Sequence, residues 1–539
     1  MNRSVGRSGR INTLWALLLG AGAAITILVT LLNVGGPGRG DDTNKLTLYC
    51  AAGVRSAMDE IAERYKEECG VTVEIQYGGS GTLLHNKIEI NKFDTADLFL
   101  AADDSYTTEA VEKGLAAETL PIAHMRPVIA VRKDSSKKIE SIEDLLDDDV
   151  AVAVANPDQA AIGEATQERL SQVAAGDTTL WQKLEQHVTR RGVFKPTVAD
   201  VAADVKLGSV DAGIVWDSTV AMPKFRDELK AVRVPELDGD PGLVTVCVLN
   251  SSRHPTAALK FARYMSARDR GLPVFEEYGL RPVEGDVWAE QPEITFFCGA
   301  VNRRAVEQII EEFQQREGVF VDTRYDGCGS LTGTMGMIDD QSTDLGFPDV
   351  YMACDVYFLE NVKQWFQEAA NVSDTEIVIA VPKGDTKVKQ LRDLVKPGIR
   401  VSIGEPDQCT IGALTRRLLV KEGLYDQLKE KQTQEDEVVV EKPSSAMLIT
   451  DVVGGHVDAA LAYITDVLAN RDSVDIVRID SPLNKAIQPF SIAKTSDHKY
   501  LTRRLFRKIA SSPEAFEDAG FHFRLDEDPA ANKSEAPGP

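Results

Sequence analysis

Two stretches of this chain, about 250 positions apart, carry nearly the same sequence. Residues 46–115 contain LTLYCAAGVRSAMDEIAERYKEECGVTVEIQYGGSGTLL and then ADLFLAADDSYTTEAVEKGL; residues 294–366 contain ITFFCGAVNRRAVEQIIEEFQQREGVFVDTRYDGCGSLT and then PDVYMACDVYFLENVKQWF. The offset barely drifts: 248 from Cys50 to Cys298 and from Ser80 to Cys328, 252 from Asp97 to Asp349, 249 from Gly163 to Gly412 and 247 from Asp211 to Asp458. Solenoid and propeller arrays repeat over far shorter periods, so the pattern predicts one domain of roughly 240 residues present twice.

A length of 539 residues with 43% hydrophobic content is enough for several cores, and the usual domain size makes each copy two lobes. The formal charge of −24 argues against nucleic acid or an anionic membrane surface as a partner. It does not argue against a small buried anion, which backbone N–H groups at helix starts can hold without net positive charge.

Residues 1–45 read as targeting rather than fold. Arg3, Arg7 and Arg10 precede an apolar run from Leu14 to Val34, long enough for a membrane-spanning helix, and Asp41 and Asp42 follow it. The expectation is an inner-membrane anchor with the body on the periplasmic, extracytoplasmic side; cleavage near Gly35–Gly40 is the alternative, and no cysteine after the run marks a lipoprotein. The domain expectation is therefore residues 1–45 as anchor and linker, 46–288 and 289–525 as the two copies, and 526–539 as a disordered tail rich in Pro, Ala and acids.

Each copy alternates strand and helix patterns. In the first, KLTLYCAA and VTVEIQY read as strands, and between them Met58, Ile61, Ala62 and Tyr65 recur at helical spacing; ADLFLAA is a third strand. This order predicts an α/β fold with parallel pairing in doubly wound sheets, and ligands bind beyond the carboxyl ends of such strands. RPVIAVRKDS (126–135) passes into a second lobe, and LKAVRVPE begins the return. Two crossing segments imply a hinge with a cleft between the lobes.

The order AAGVRSAMDEIAERY, VEIQYGGSGTLL, ADLFLAADDSY, NPDQAAIG and VDAGIVW resembles the periplasmic molybdate-binding proteins, a family of type II periplasmic-binding-protein fold. The resemblance covers about residues 46–285 and 294–525. It implies two tandem solute-binding domains, each of two doubly wound lobes on a two-segment hinge, that capture molybdate, tungstate or another small oxyanion for an ABC-type permease. No cofactor and no enzymatic activity are expected, and no nucleophile–base set recurs in both copies.

An enclosed oxyanion needs inward-pointing neutral donors. Carried over from the family, the first copy offers Gly53, Ser80, the N–H groups of Ile162 and Val198, and Trp216; the second offers Val301, Cys328, Ile411, Ser445 and Tyr463. Both depart from the family set. The first has Gly53 where a serine belongs and Trp216 where a tyrosine hydroxyl belongs; the second has Val301 and Cys328 for the two serines.

Cysteines open a second reading. Cys298, Cys328, Cys354 and Cys409 all fall at cleft loops of the second copy, where the first has Cys50, Ser80, Ala102 and Ala160. They are read as disulfides or small buried residues, as ligand contacts, or as a soft-metal or thiophilic-anion site. A sensor or scaffold with degenerate clefts is the remaining alternative. Asp97 and Asp103, matched by Asp349 and Asp355, read as helix caps rather than a catalytic pair. His85, His124 and His456 show no metal-ligand spacing.

Overall fold

The computed structural model describes residues 44–91, 96–239, 241–339 and 346–525. The anchor and tail expectations fall on residues outside these; among the described residues no helix is long and apolar enough to cross a membrane. From Leu46 on, the chain forms one compact unit with two hydrophobic cores, one built from Leu46 to Leu280 and the other from Ile294 to Phe523.

The first strand and helix of the duplicated segment fold alike in both copies. In the first, the strand Lys45–Ala51 leads through a single turn into the helix Arg55–Cys69, whose buried stripe of Ala57, Met58, Ile61 and Tyr65 follows the helical repeat. Gly70 ends the helix with φ of 71°, the left-handed conformation that glycine adopts freely. In the second copy Glu293–Gly299 leads into Arg303–Glu317, which buries Ala305, Val306, Ile309, Ile310 and Phe313 and stops at Gly318 with φ of 66°.

The strand–helix–strand units pair parallel as expected, but the sheets as a whole are mixed. In the first lobe Lys45–Ala51 pairs parallel with Leu98–Ala101, but Gly242–Leu249 runs antiparallel between Leu98–Ala101 and Ala116–Met125. The second lobe has Ala212–Trp216 parallel to Val152–Ala155 and antiparallel to Pro127–Arg132. The antiparallel strands are the crossing segments: a chain that leaves one lobe and returns must run against the βαβ direction. In the second copy the outgoing crossing is one strand, Phe366–Pro382, shared by both lobes.

A buried charge cluster joins the copies. Glu317 accepts from Arg263 of the first copy at 2.9 Å and from Arg504 of the second at 2.7 Å, with all three side chains no more than 7% exposed. Arg316 makes a bidentate pair with Glu118 at 2.7 and 2.9 Å. Asp286 accepts the N–H groups of Tyr500 and Leu501, both at 2.9 Å.

Candidate functional site

In each copy the glycine-rich turn after the second strand meets the opposite lobe. A Cβ on Gly79 would lie 2.0 Å from the Gln159 carbonyl oxygen and 2.9 Å from that of Pro196, so only glycine permits this approach. The Thr82 N–H crosses the gap to Gln159 O at 3.3 Å. Gly327 stands in the same relation to Gln408 O (3.0 Å) and Pro443 O (3.3 Å), and Gly329 to Asp407 O and Gln408 O (both 2.7 Å). Both pairs of lobes are closed.

Around the first closed gap lies a small cavity of about 20 Å³, and all five first-copy residues carried over from the family line it: Gly53, Ser80, Ile162, Val198 and Trp216. Ser80 opens a helical turn behind Gly79 and is 2% exposed; its Oγ accepts the Ala102 N–H at 3.1 Å, which leaves the hydroxyl proton free to donate. Ile162 is the second residue of the helix Ala161–Ser171 and Val198 the first of Val198–Leu207, positions whose N–H groups have no intrahelical acceptor. Thr197 also lines the gap, but its hydroxyl is committed to Asp200 at 2.6 Å. Trp216, 1% exposed, covers the vacancy at Gly53: a Cβ there would sit 3.2 Å from Val198 Cγ1, 3.5 Å from Trp216 Cδ1 and 4.0 Å from its Nε1. The glycine and the indole are thus complementary departures from the family pattern.

The second gap has the same frame and different chemistry. Cys328, fully buried, accepts the Cys354 N–H at 3.0 Å, as Ser80 accepts that of Ala102, and its Sγ lies 2.7 Å from Cys354 Sγ. The pair occupies the place of a methyl group: a Cβ on Gly299, where the first copy has Ala51, would fall 2.3 Å from Cys354 Sγ. Burial pushes the Cys328 thiol up, but the thiol of Cys354, the Thr410 hydroxyl, the Cys354 N–H and the Tyr351 hydroxyl outweigh it and hold Cys328 below the ordinary thiol value. Contact with Cys328 and burial push Cys354 well up. The hydroxyls of Tyr351, Thr410 and Tyr463 and the Asn302 Oδ1 are buried without a hydrogen-bond partner of good geometry.

Val301 (5% exposed) and Ile411 (fully buried) hold positions matching Gly53 and Ile162, and Tyr463 that of Trp216. The Ser445 hydroxyl faces Asp466, and burial raises that carboxyl to about 6. The four cysteines do not form a metal-ligand set. Among the described residues the one such group is His85, Glu89 and Glu109, overlooked because Glu109 is distant in sequence, and there Lys113 Nζ sits 2.6 Å from both carboxylates. Asp103 and Asp355 cap helices as expected, but Asp97 and Asp349 instead accept backbone N–H groups from the neighbouring strand, Thr47 at 2.8 Å and Thr295 at 2.9 Å.

Tyr351, Thr410 and Asn302 escaped the sequence reading. The signal was present: aligned on the repeat, Asn302, Tyr351, Thr410 and Cys354 stand where the first copy has Val54, Phe99, Ala161 and Ala102. Buried positions at which one copy turns polar mark the second gap.

Two closed two-lobed units with donors converging on the gap define a solute-binding protein. A family model described as bacterial extracellular solute-binding protein matches the chain twice, over residues 46–281 and 294–522, and the chain belongs to that family. It is similar to the molybdate-binding protein ModA of Escherichia coli strain K12, 28% identical over 41% of this chain and 89% of that protein. ModA of Mycobacterium tuberculosis strain H37Rv is 26% identical over 46% of this chain and 87% of its own length. Among solved structures, the Azotobacter vinelandii periplasmic molybdate-binding protein aligns at 16% identity and a TM-score of 0.35, covering 44% of this chain and 98% of that one.

Proposed function

We propose that the first domain captures a compact tetrahedral oxyanion of the molybdate and tungstate class and delivers it to an ABC-type permease. The observation that carries this reading is the cavity: about 20 Å³, bounded by Ser80, two helix N-termini and the indole of Trp216. A gap of this size is far too small for a sugar or a peptide. The lining supplies neutral donors, the arrangement that holds a desolvated dianion at helix starts. Relatives named as molybdate-binding proteins support the same assignment.

The lobes must part to admit the ligand, and closure over it is the signal a permease would read. An apolar run at residues 14–34 tethering the protein to the membrane would raise its concentration near such a permease. Thermal denaturation of the full chain with molybdate, tungstate, sulfate and phosphate tests the reading, since a ligand bound only by the folded form raises the melting temperature. Molybdate and tungstate are expected to stabilise more than sulfate. No shift with any oxyanion at concentrations on the order of millimolar would defeat the proposal.

A further inference from the structure

The Cys328–Cys354 pair is absent from the first copy, and three properties of its surroundings restrict what it can serve. The sulfurs meet at 2.7 Å, inside a gap that the other lobe closes through Gly327 and Gly329. The Tyr463 hydroxyl is buried there without a partner and those of Tyr351 and Thr410 have only the sulfurs, weak acceptors, beside them; such groups are costly unless something satisfies them. The groups that bear on the pair are thiols and hydroxyls rather than charged side chains, a setting that suits a ligand which is itself neutral. A tetrahedral dianion would meet two sulfurs, weak donors, where the first copy presents Ser80.

We propose that the second domain binds a neutral trivalent hydroxide of arsenic or antimony, held covalently by Cys328 and Cys354. The step is a condensation: two S–H and two As–O bonds break and two S–As bonds form. Each thiol proton leaves on a departing hydroxide as water, and arsenic stays trivalent, so no oxidant or reductant is consumed. The adduct carries no net charge, which suits the buried setting. Its remaining hydroxyl can donate to and accept from Tyr351, Thr410 and Tyr463. One thiol attacks first and the adjacent one, within contact distance, closes the chelate. This assignment rests on the second domain being a hinged binding unit and is independent of what the first domain binds.

Full-length protein, reduced and then freed of reductant, is incubated with sodium arsenite, desalted and weighed intact, with alkylation mapping of each cysteine. The expected result is one arsenic and one hydroxyl gained per chain less the two thiol protons, with Cys328 and Cys354 protected from alkylation. Cys328→Ser and Cys354→Ala, which install the residues of the first copy, should each lower retention at least tenfold while leaving the melting temperature rise with molybdate unchanged. Failure of the reduced protein to retain arsenic overturns the assignment, as does an adduct at Cys69 or another cysteine instead. A Cys328–Cys354 disulfide that persists through reduction, or preferential retention of copper(I) in competition with arsenite, overturns it as well.

Discussion

The two gaps share a frame and differ in what fills it. In the first, Ala51, Ser80 and Ala102 leave a small gap with one hydroxyl free to donate; in the second, Gly299 gives up its methyl group so that Cys328 and Cys354 fit. The backbone contact is preserved, Ala102 N–H to Ser80 Oγ against Cys354 N–H to Cys328 Sγ. What the difference teaches is that the closing contacts at Gly79 and Gly327 form one layer of the design and the side chains beneath them another. Duplication has kept the first and changed the second.

The comparison can be broken most forcefully at the seam. Glu317→Ala leaves Arg263 and Arg504 buried without their carboxylate, and loss of one partner from a buried ion pair costs about 3–5 kcal/mol. Urea denaturation followed by tryptophan fluorescence should show a lower midpoint and a single transition splitting into two, one for each copy. A variant that unfolds in one step at the original midpoint would mean that the copies are not held together by this cluster.

A second asymmetry is electrostatic. Asp466 is partly buried, and desolvation raises its carboxyl from 3.8 to about 6, where the first copy has the uncharged, buried Thr219. Between about pH 4 and pH 6 the folded chain holds a proton there that the unfolded chain has released, so stability falls as pH rises through that window and then levels off. The loss is about 3 kcal/mol, since each tenfold change in proton affinity is worth about 1.4 kcal/mol. Asp466→Thr should flatten the part of the stability profile between about pH 4 and pH 6; an unchanged slope would place the titration elsewhere.

The hydroxyl at Ser80 separates the copies on a smaller scale. Ser80→Ala orphans the buried Ala102 N–H and should lower stability by about 1–3 kcal/mol, together with at least tenfold weaker oxyanion binding. Cys328→Ser keeps an acceptor for the Cys354 N–H, so its stability change should stay within about 1 kcal/mol. Equal losses from the two substitutions, measured by denaturation, would show that the shared hydrogen bond is not what the two copies have in common.

Much of this was legible in the sequence. While the first-copy residues around the gap came from the family resemblance, the duplication and the helices follow from spacing and periodicity. Strand direction did not, because hydrophobic alternation is the same in parallel and antiparallel strands; the returning Gly242–Leu249 strand is therefore antiparallel without a mark in its residues. The buried cluster at Glu317 did not show either, because Glu317 ends an amphipathic helix and its partners lie 54 and 187 positions away. Nor could position reveal that the Ser445 hydroxyl turns to Asp466.

The subtlest test lies in the first gap itself, where Gly53 and Trp216 replace the serine and tyrosine of the family pattern. Gly53→Ser alone puts a Cβ 3.2 Å from Val198 Cγ1 and 3.5 Å from Trp216 Cδ1, a tight fit that should cost about 1 kcal/mol, at the mild end of overpacking. Trp216→Tyr alone removes the contact and leaves space beside Gly53. If the two departures compensate each other, the double variant should be more stable than the sum of the singles by about 0.5–1 kcal/mol, the range of coupling between touching residues. It should also bind molybdate more tightly than either single variant, because a serine hydroxyl and a phenol replace one indole N–H as donors. Strict additivity in both stability and affinity would mean that the glycine and the tryptophan do not answer one another across this gap, and that the first copy differs from the family at two unrelated places.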